Sequence, residues 1–87
     1  MSMNDRAFYK ALGARIAQRR EEIGLTQVEV AAMLHIAQPT YGAYEVGRSR
    51  FPASLLASLA DVLKTDVAFV LGIAAKNASA RRGSPRR

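Results

Sequence analysis

Two short helical segments lie in the middle of the chain and are separated by only three residues. Thr26 and Glu29 have the spacing of a capping box, in which each side chain accepts a hydrogen bond from the other residue's backbone amide, so a helix begins there. This helix ends near His35. The next helix begins at Gln38. Pro39 is tolerated in its first turn, because the backbone N–H that proline lacks would have no intrahelical acceptor there. The fold must therefore accommodate two short helices joined by a tight turn.

Three more helices flank this pair. The first of these ends at Gly24. Within the pair, the helix that begins at Gln38 ends at Gly47. Glycine suits both positions because it adopts the left-handed conformation common at a helix C-terminus. Asp66 can cap a fifth helix over residues 67–71, which Gly72 stops. Alternating strand patterns are scarce, so the sequence predicts an all-α domain of five helices. The side chains predicted to face the core are Phe8, Leu12, Ile16 and Ile23, then Val30, Ala31 and Leu34, then Tyr41 and Tyr44, then Leu55, Leu56, Leu59, Ala60 and Leu63.

The chain has 87 residues and no cysteine, which predicts one small domain held together by packing alone. Disulfides, thiolate zinc sites and cysteine nucleophiles are excluded. The longest apolar stretch, residues 67–75, is about half of the ~20 residues that a membrane span needs, and the polar N-terminus lacks the apolar core of a signal peptide. We therefore expect a cytoplasmic protein without a membrane segment or a cofactor.

The net charge of +6 is unevenly distributed. Eight basic and seven acidic residues precede residue 74, so residues 1–73 carry only +1. The other five cations lie in residues 74–87, which contain no large apolar side chain and are expected to form a basic disordered tail. This tail could lie along a polyanion or merely improve solubility. The high charge is thus weak evidence about the partner of the domain itself.

The residue types needed for catalysis or metal binding are not assembled in this sequence. His35 is the only histidine, and without a second histidine or a cysteine it cannot complete a metal site of ordinary ligand count. No set of nucleophile, base and orienting residue is present, and the six glycines are scattered rather than gathered into a phosphate-binding run. The sequence therefore disfavours an enzyme.

Two short helices around a three-residue turn form a helix-turn-helix, whose second helix is presented to the major groove of DNA. The residues at these positions resemble the phage repressor and Cro family of helix-turn-helix proteins over about residues 12–72. The resemblance implies a repressor-like fold in which helices 2 and 3 form the motif, and a sequence-specific regulator of transcription, a repressor, that binds double-stranded DNA. The residues that carry it are Thr26-Gln27, Ala31, Leu34, Ile36, Gln38, Thr40-Tyr41, Tyr44-Glu45, Gly47, Pro52, Leu59-Ala60 and Leu63.

Within this resemblance, helix 38–46 enters the major groove. Gln38 is the strongest candidate for base recognition, because a glutamine amide can pair with both N6 and N7 of adenine. Thr40 could reach a phosphate or a thymine methyl group, or serve only as a first-turn helix residue. Gly42 and Ala43 offer little side chain, so few base-specific hydrogen bonds are expected. More of the binding specificity should then come from recognition of DNA shape. The candidate base contacts are Gln38, Pro39, Thr40 and Ala43.

Other positions are expected to contact the phosphate backbone. One lies at the start of the second helix, where backbone amides and the helix dipole favour an anion, and two lie in the loop after the third helix. The alternative for each is an ordinary solvated surface residue. The candidate phosphate contacts are Gln27, Arg48 and Arg50.

The resemblance also implies structural roles. An arginine late in the first helix pairs with the glutamate that ends the recognition helix in this family, which predicts an ion pair between Arg20 and Glu45. His35 occupies the turn position where the family generally carries glycine. A positive φ angle is therefore expected at His35, because histidine is enriched in that region.

The short last helix carries more apolar surface than a small core should cover. Val67 and Val70 are expected to face the core, which leaves Phe69 and Ile73 as candidates for a homodimer interface. The near-neutral domain keeps a second function open, that of an antitoxin-type protein that binds a partner toxin and regulates its own operon.

Overall fold

Residues 3–73 are described by a computed structural model, and this part of the chain contains helices and turns without strands. The predicted all-α domain of five helices is therefore confirmed. The predicted tail, residues 74–87, lies outside the described residues. The helices are α1 (Met3–Glu22), α2 (Gln27–Leu34), α3 (Gln38–Glu45), α4 (Leu56–Val62) and α5 (Val67–Leu71), and a short 3-10 helix (Ala53–Leu55) precedes α4.

Side-chain caps fix the N-terminal ends of α2 and α5, as the sequence predicts. The Thr26 hydroxyl accepts a hydrogen bond from the Glu29 amide at 3.1 Å, and the Glu29 carboxylate accepts one from the Thr26 amide at 2.8 Å. The carboxylate of Asp66 accepts a hydrogen bond from the Phe69 amide at 2.8 Å. His35 ends α2 in the left-handed conformation, with φ 59° and ψ 41°. Of these features, the left-handed His35 sets the short turn between α2 and α3.

The core is formed by one apolar face from each helix. Most residues predicted to face inward are buried or half-buried, and Tyr41, Leu59 and Leu63 are fully enclosed. Phe51, which the sequence places in a loop, is also buried and stacks edge-to-face on Tyr44 at a ring distance of 4.8 Å. The loop after α3 is therefore anchored to the core by an aromatic side chain.

The prediction that Phe8 faces the core is wrong, because this side chain is 41% exposed. Residues 4–8 are all exposed, so the first turns of α1 extend beyond the core. Phe8 packs instead against the ring of Tyr9, at 5.0 Å, and Tyr9 is the aromatic residue that reaches the core. Although α1 is the longest helix, no helix within residues 3–73 combines the length and apolar character required to cross a bilayer.

The backbones of α1 and α3 approach each other closely at two glycines. A β-carbon on Gly13 would overlap the carbonyl groups of Tyr44 and Glu45, at the end of α3. A β-carbon on Gly47 would lie 2.5 Å from the Cα atom of Lys10, and Gly47 also has a positive φ angle of 77°. The absence of side chains at both positions lets α1 lie directly against the C-terminal end of α3.

Two arginines of α1 bind the C-terminal ends of the last two helices. The Arg15 Nε atom donates a hydrogen bond to the carbonyl of Val70 at 2.9 Å, in α5. The Arg19 guanidinium donates to the carbonyls of Leu63 and Lys64 at 2.8 and 3.0 Å, at the end of α4. Cations at helix C-termini satisfy free carbonyls and oppose the helix dipole. These contacts orient α4 and α5 relative to α1.

Replacing His35 with glycine should stabilise the domain by about 1 kcal/mol, because glycine avoids the steric cost of a positive φ angle. For a domain of this size that gain raises the midpoint of thermal unfolding by roughly 4–8 °C. His35→Ala is the matched control, since alanine keeps the steric cost and should show no gain. Equal midpoints for the glycine and alanine variants would show that the conformation of residue 35 carries no strain.

Candidate nucleic-acid interface

Helix α3 presents its first turn to solvent and its inner face to α1 and α2. Gln38, Pro39 and Thr40 are all exposed, and they form a continuous surface where the chain leaves the turn. Tyr41 and Glu45, on the opposite side of α3, are 0% and 8% exposed. The helix is therefore held firmly along one side while its N-terminal turn is free to meet a partner.

A buried ion pair anchors the far end of α3. The Arg20 guanidinium binds the Glu45 carboxylate through two contacts, at 2.6 and 3.1 Å, and donates a third hydrogen bond to the Leu25 carbonyl at 2.8 Å. The ion pair predicted between Arg20 and Glu45 is thus present. Burial alone would raise the pKa of Glu45, but the hydrogen bonds donated by Arg20 and Gln27 lower that pKa, so the carboxylate is ionised.

The ion pair continues into two glutamine side chains that reach the surface. Gln27 Nε2 donates a hydrogen bond to Glu45 Oε1 at 2.9 Å, and Gln38 Nε2 donates one to Gln27 Oε1 at 2.7 Å. We call Arg20, Glu45, Gln27 and Gln38 the polar relay. It connects a buried carboxylate to the exposed first turn of α3, so the orientation of Gln38 depends on residues from α1 and α2.

The sequence only hints at the role of Gly42 in this arrangement. A β-carbon at residue 42 would lie 3.3 Å from Gln27 Oε1 and 3.5 Å from Gln38 Nε2, the first of which is closer than most β-carbon contacts. The glycine therefore leaves room for both amides across α3. A glycine inside a helix lowers the stability of the helix by about 1 kcal/mol relative to alanine. This cost was the one sign in the sequence that other groups lie close to residue 42.

Ala43 does not share the exposure of the other candidate base contacts. Ala43 is only 8% exposed, so little of its methyl group is available to a base. We therefore remove Ala43 from the set predicted from sequence. Tyr41 and Glu45 share one face of α3 at helical spacing, whereas Ala43 lies off that face and is buried as well, so the accessible surface is concentrated in the first turn.

The loop after α3 carries two of the predicted phosphate contacts. Arg48 is exposed. Arg50 is also exposed and faces Asp5 across 3.9 Å, and such a solvated ion pair contributes little, so a phosphate could replace the aspartate. Lys10 is an exposed cation that sequence reasoning missed, and it lies beside Gly47. Its position depends on how α1 packs on α3, and no local pattern could have revealed it.

A family model of helix-turn-helix proteins matches residues 16–70, which is most of the chain. The chain belongs to this helix-turn-helix family. It is the phage repressor and Cro type that the sequence resembles, so that prediction is confirmed. Comparison with curated proteins gave no match.

Two solved structures of the clp gene regulator ClgR from Corynebacterium glutamicum are similar to this helix-turn-helix protein. One is 30% identical, with 87% of this chain and 81% of the other covered and a TM-score of 0.72. The second is 33% identical, with 80% and 91% covered and a TM-score of 0.71. Together with the family match, they support a DNA-binding regulator of transcription and point away from an enzyme.

Of the candidate dimer residues of this helix-turn-helix protein, Phe69 lies on α5, which packs against α1 and α4, and Ile73 lies two residues after the end of α5. Val70 is buried and Val67 half-buried, whereas Phe69 is half-buried and Ile73 is 66% exposed.

Among the described residues no group of three or more acidic or histidine side chains could hold a metal ion. Phe69 borders an open groove of about 510 Å³ between α1 and α5, with Arg15, Gln18, Arg19, Glu22 and Thr65 as its other lining residues.

Proposed function

We propose that this protein is a sequence-specific transcriptional repressor that binds double-stranded DNA as a homodimer, with α3 in the major groove. The observation that carries the proposal is the exposed first turn of α3, in which a tethered glutamine stands next to two further accessible residues. The regulators similar to this chain support a role in transcription. A bound protein blocks access to the DNA beneath it, which makes repression the direct consequence.

Gln38 has the donors and acceptors needed to read adenine. One of its two amide N–H groups is used by Gln27. The second N–H group and the carbonyl oxygen remain for N7 and N6 of adenine, which present one acceptor and one donor in the major groove. Pro39 and Thr40 extend this contact surface. The Thr40 hydroxyl can donate a hydrogen bond to a phosphate, and its methyl group can contact the methyl group of a thymine.

Within residues 3–73 the cations available for phosphate contact are few. Arg15, Arg19 and Arg20 are engaged with carbonyl groups or with Glu45, so they serve the fold. We assign phosphate contact to Arg48 and Arg50, together with Lys10. The second N–H group of Gln27 lies at the N-terminus of α2 and can donate a hydrogen bond to a phosphate, which adds a contact without a charge. The contacts made by residues 3–73 should therefore contribute only moderately to the salt dependence of binding, because each neutralised phosphate contributes about 0.9 to the slope of log affinity against log salt.

Two substitutions separate base recognition from phosphate contact. Gln38→Ala should lower the affinity for the best duplex by about 1–3 kcal/mol and relax the preference at one base pair. Arg48→Ala should weaken binding to all sequences nearly alike and reduce the salt slope by about one. Titrations of labelled duplexes at several salt concentrations measure both effects. If Gln38→Ala loses affinity equally on every sequence, α3 does not read bases through this residue.

The homodimer is expected to depend on α5. Exchanging Phe69 and Ile73 together for serine removes apolar surface from the proposed interface and should weaken self-association at least tenfold, with helicity retained. Analytical ultracentrifugation and circular dichroism measure these two properties. Met33→Ser is the control, because Met33 is 50% exposed on α2 and lies outside the proposed interface. An unchanged dimer in the double variant would place the interface elsewhere.

A further inference from the structure

The direction of the hydrogen bonds in the polar relay is set at its buried end. The Glu45 carboxylate is ionised and only 8% exposed, so its oxygens can accept hydrogen bonds but cannot donate them. Gln27 must therefore present its NH₂ group to Glu45, as it does at 2.9 Å. Turning this amide over would bring two acceptor oxygens together in a place with little access to water, which is unfavourable.

The orientation of Gln27 determines that of Gln38. With its NH₂ group turned toward Glu45, Gln27 presents the opposite end of its amide, the carbonyl oxygen, to Gln38, whose NH₂ group donates to it at 2.7 Å. Two neutral glutamines alone would be equally satisfied with both amides reversed, because each amide has a donor end and an acceptor end. The carboxylate removes this equivalence.

On the basis of the proposed function, we infer that Glu45 determines the base preference of Gln38 by fixing, through Gln27, which atoms of the Gln38 amide face the DNA. In the observed orientation the amide presents one N–H group and one carbonyl oxygen, which match N7 and N6 of adenine. In the reversed orientation it would present two N–H groups, which match the two acceptors N7 and O6 of guanine. Glu45 thus favours adenine over guanine without touching either base.

The inference predicts a loss of discrimination that differs from a loss of stability. Glu45→Gln keeps the size of the side chain but lets residue 45 donate as well as accept, so both amide orientations become possible. Gln27→Met interrupts the relay while the ion pair of Arg20 and Glu45 stays intact. Replacing Arg20 and Glu45 together by methionine removes the acceptor without leaving a buried charge unpaired.

The experiment compares affinities for two duplexes that differ only by adenine or guanine at the base pair where Gln38→Ala relaxes the preference. The unsubstituted protein should favour adenine at least tenfold. Glu45→Gln, Gln27→Met and the double methionine variant should each reduce this ratio to threefold or less. Asp61→Asn is the matched control, because it removes one exposed negative charge on α4 and should keep the full ratio.

The outcomes separate the inference from the proposed function. Variants that bind both duplexes more weakly but keep the adenine preference would overturn the inference alone, because Glu45 would then only support the fold. Gln27→Met keeps the ion pair and gives this answer even if Glu45→Gln fails to fold. An unsubstituted protein that shows no preference between any duplexes would overturn the proposed function itself.

Discussion

Gly13→Ala is expected to destabilise the domain by about 3 kcal/mol, although alanine is the better helix former. A β-carbon at this position would overlap the backbone carbonyl groups of Tyr44 and Glu45. Backbone atoms cannot rotate away as the end of a side chain can, so α1 and α3 would have to separate. Urea denaturation followed by circular dichroism gives the change in the free energy of unfolding.

The control for this prediction is Ala14→Gly, at the next position of α1. Ala14 is exposed, so its replacement should cost only the difference in helix propensity, about 1 kcal/mol. A Gly13→Ala variant that equals or exceeds the stability of the parent would show that α1 and α3 are not in direct backbone contact. The backbones of α1 and α3 would then lie far enough apart to admit a methyl group between them.

Arg20→Met is expected to cost about 3–5 kcal/mol, because it leaves the Glu45 carboxylate buried without its cation. The loss should be larger than that of a surface ion pair, since the side chains of Arg20 and Glu45 are only 12% and 5% exposed. Adding Glu45→Met should recover most of the lost stability, because two apolar side chains of similar length can fill the same space. Thermal and urea unfolding of the single and double variants measure the coupling between the two residues.

A single variant as stable as the parent would contradict this prediction, because Glu45 would then be solvated or would have found another cation. A double variant that is no better than the single variant would place the cost in lost packing of the arginine stem and not in the charge. Arg48→Met is the matched control. Arg48 is exposed, so the same chemical change should alter the free energy of unfolding by no more than about 0.5 kcal/mol.

Features encoded by neighbouring residues could be predicted from the sequence. The capping box of Thr26 and Glu29 and the Asp66 cap each depend on backbone within a few residues. The left-handed conformation of His35 was expected from the resemblance to a known family, which generally carries glycine at this turn position. The ion pair of Arg20 and Glu45 joins distant segments, and only the resemblance to a known family made it predictable. These features define the ends of the helices and hence the presentation of α3.

Features that depend on how the helices pack could not be predicted. Phe8 follows the apolar period of α1, but the helix extends past the core at that end. The contacts that Arg15 and Arg19 make with distant carbonyls look like ordinary surface charge in the sequence. The burial of Ala43 likewise depends on the packed face of α3, and the role of Gly42 depends on side chains from two helices.

Selection of bound duplexes from a random DNA library tests the central claim most directly, namely that the first turn of α3 reads bases. The account predicts enrichment of an inverted repeat whose half-sites lie roughly 34 Å, one helical turn, apart, with an adenine that loses its enrichment in Gln38→Ala. A library that stays random after repeated rounds, although the folded protein retains DNA, would contradict the claim and leave only contact with the phosphate backbone.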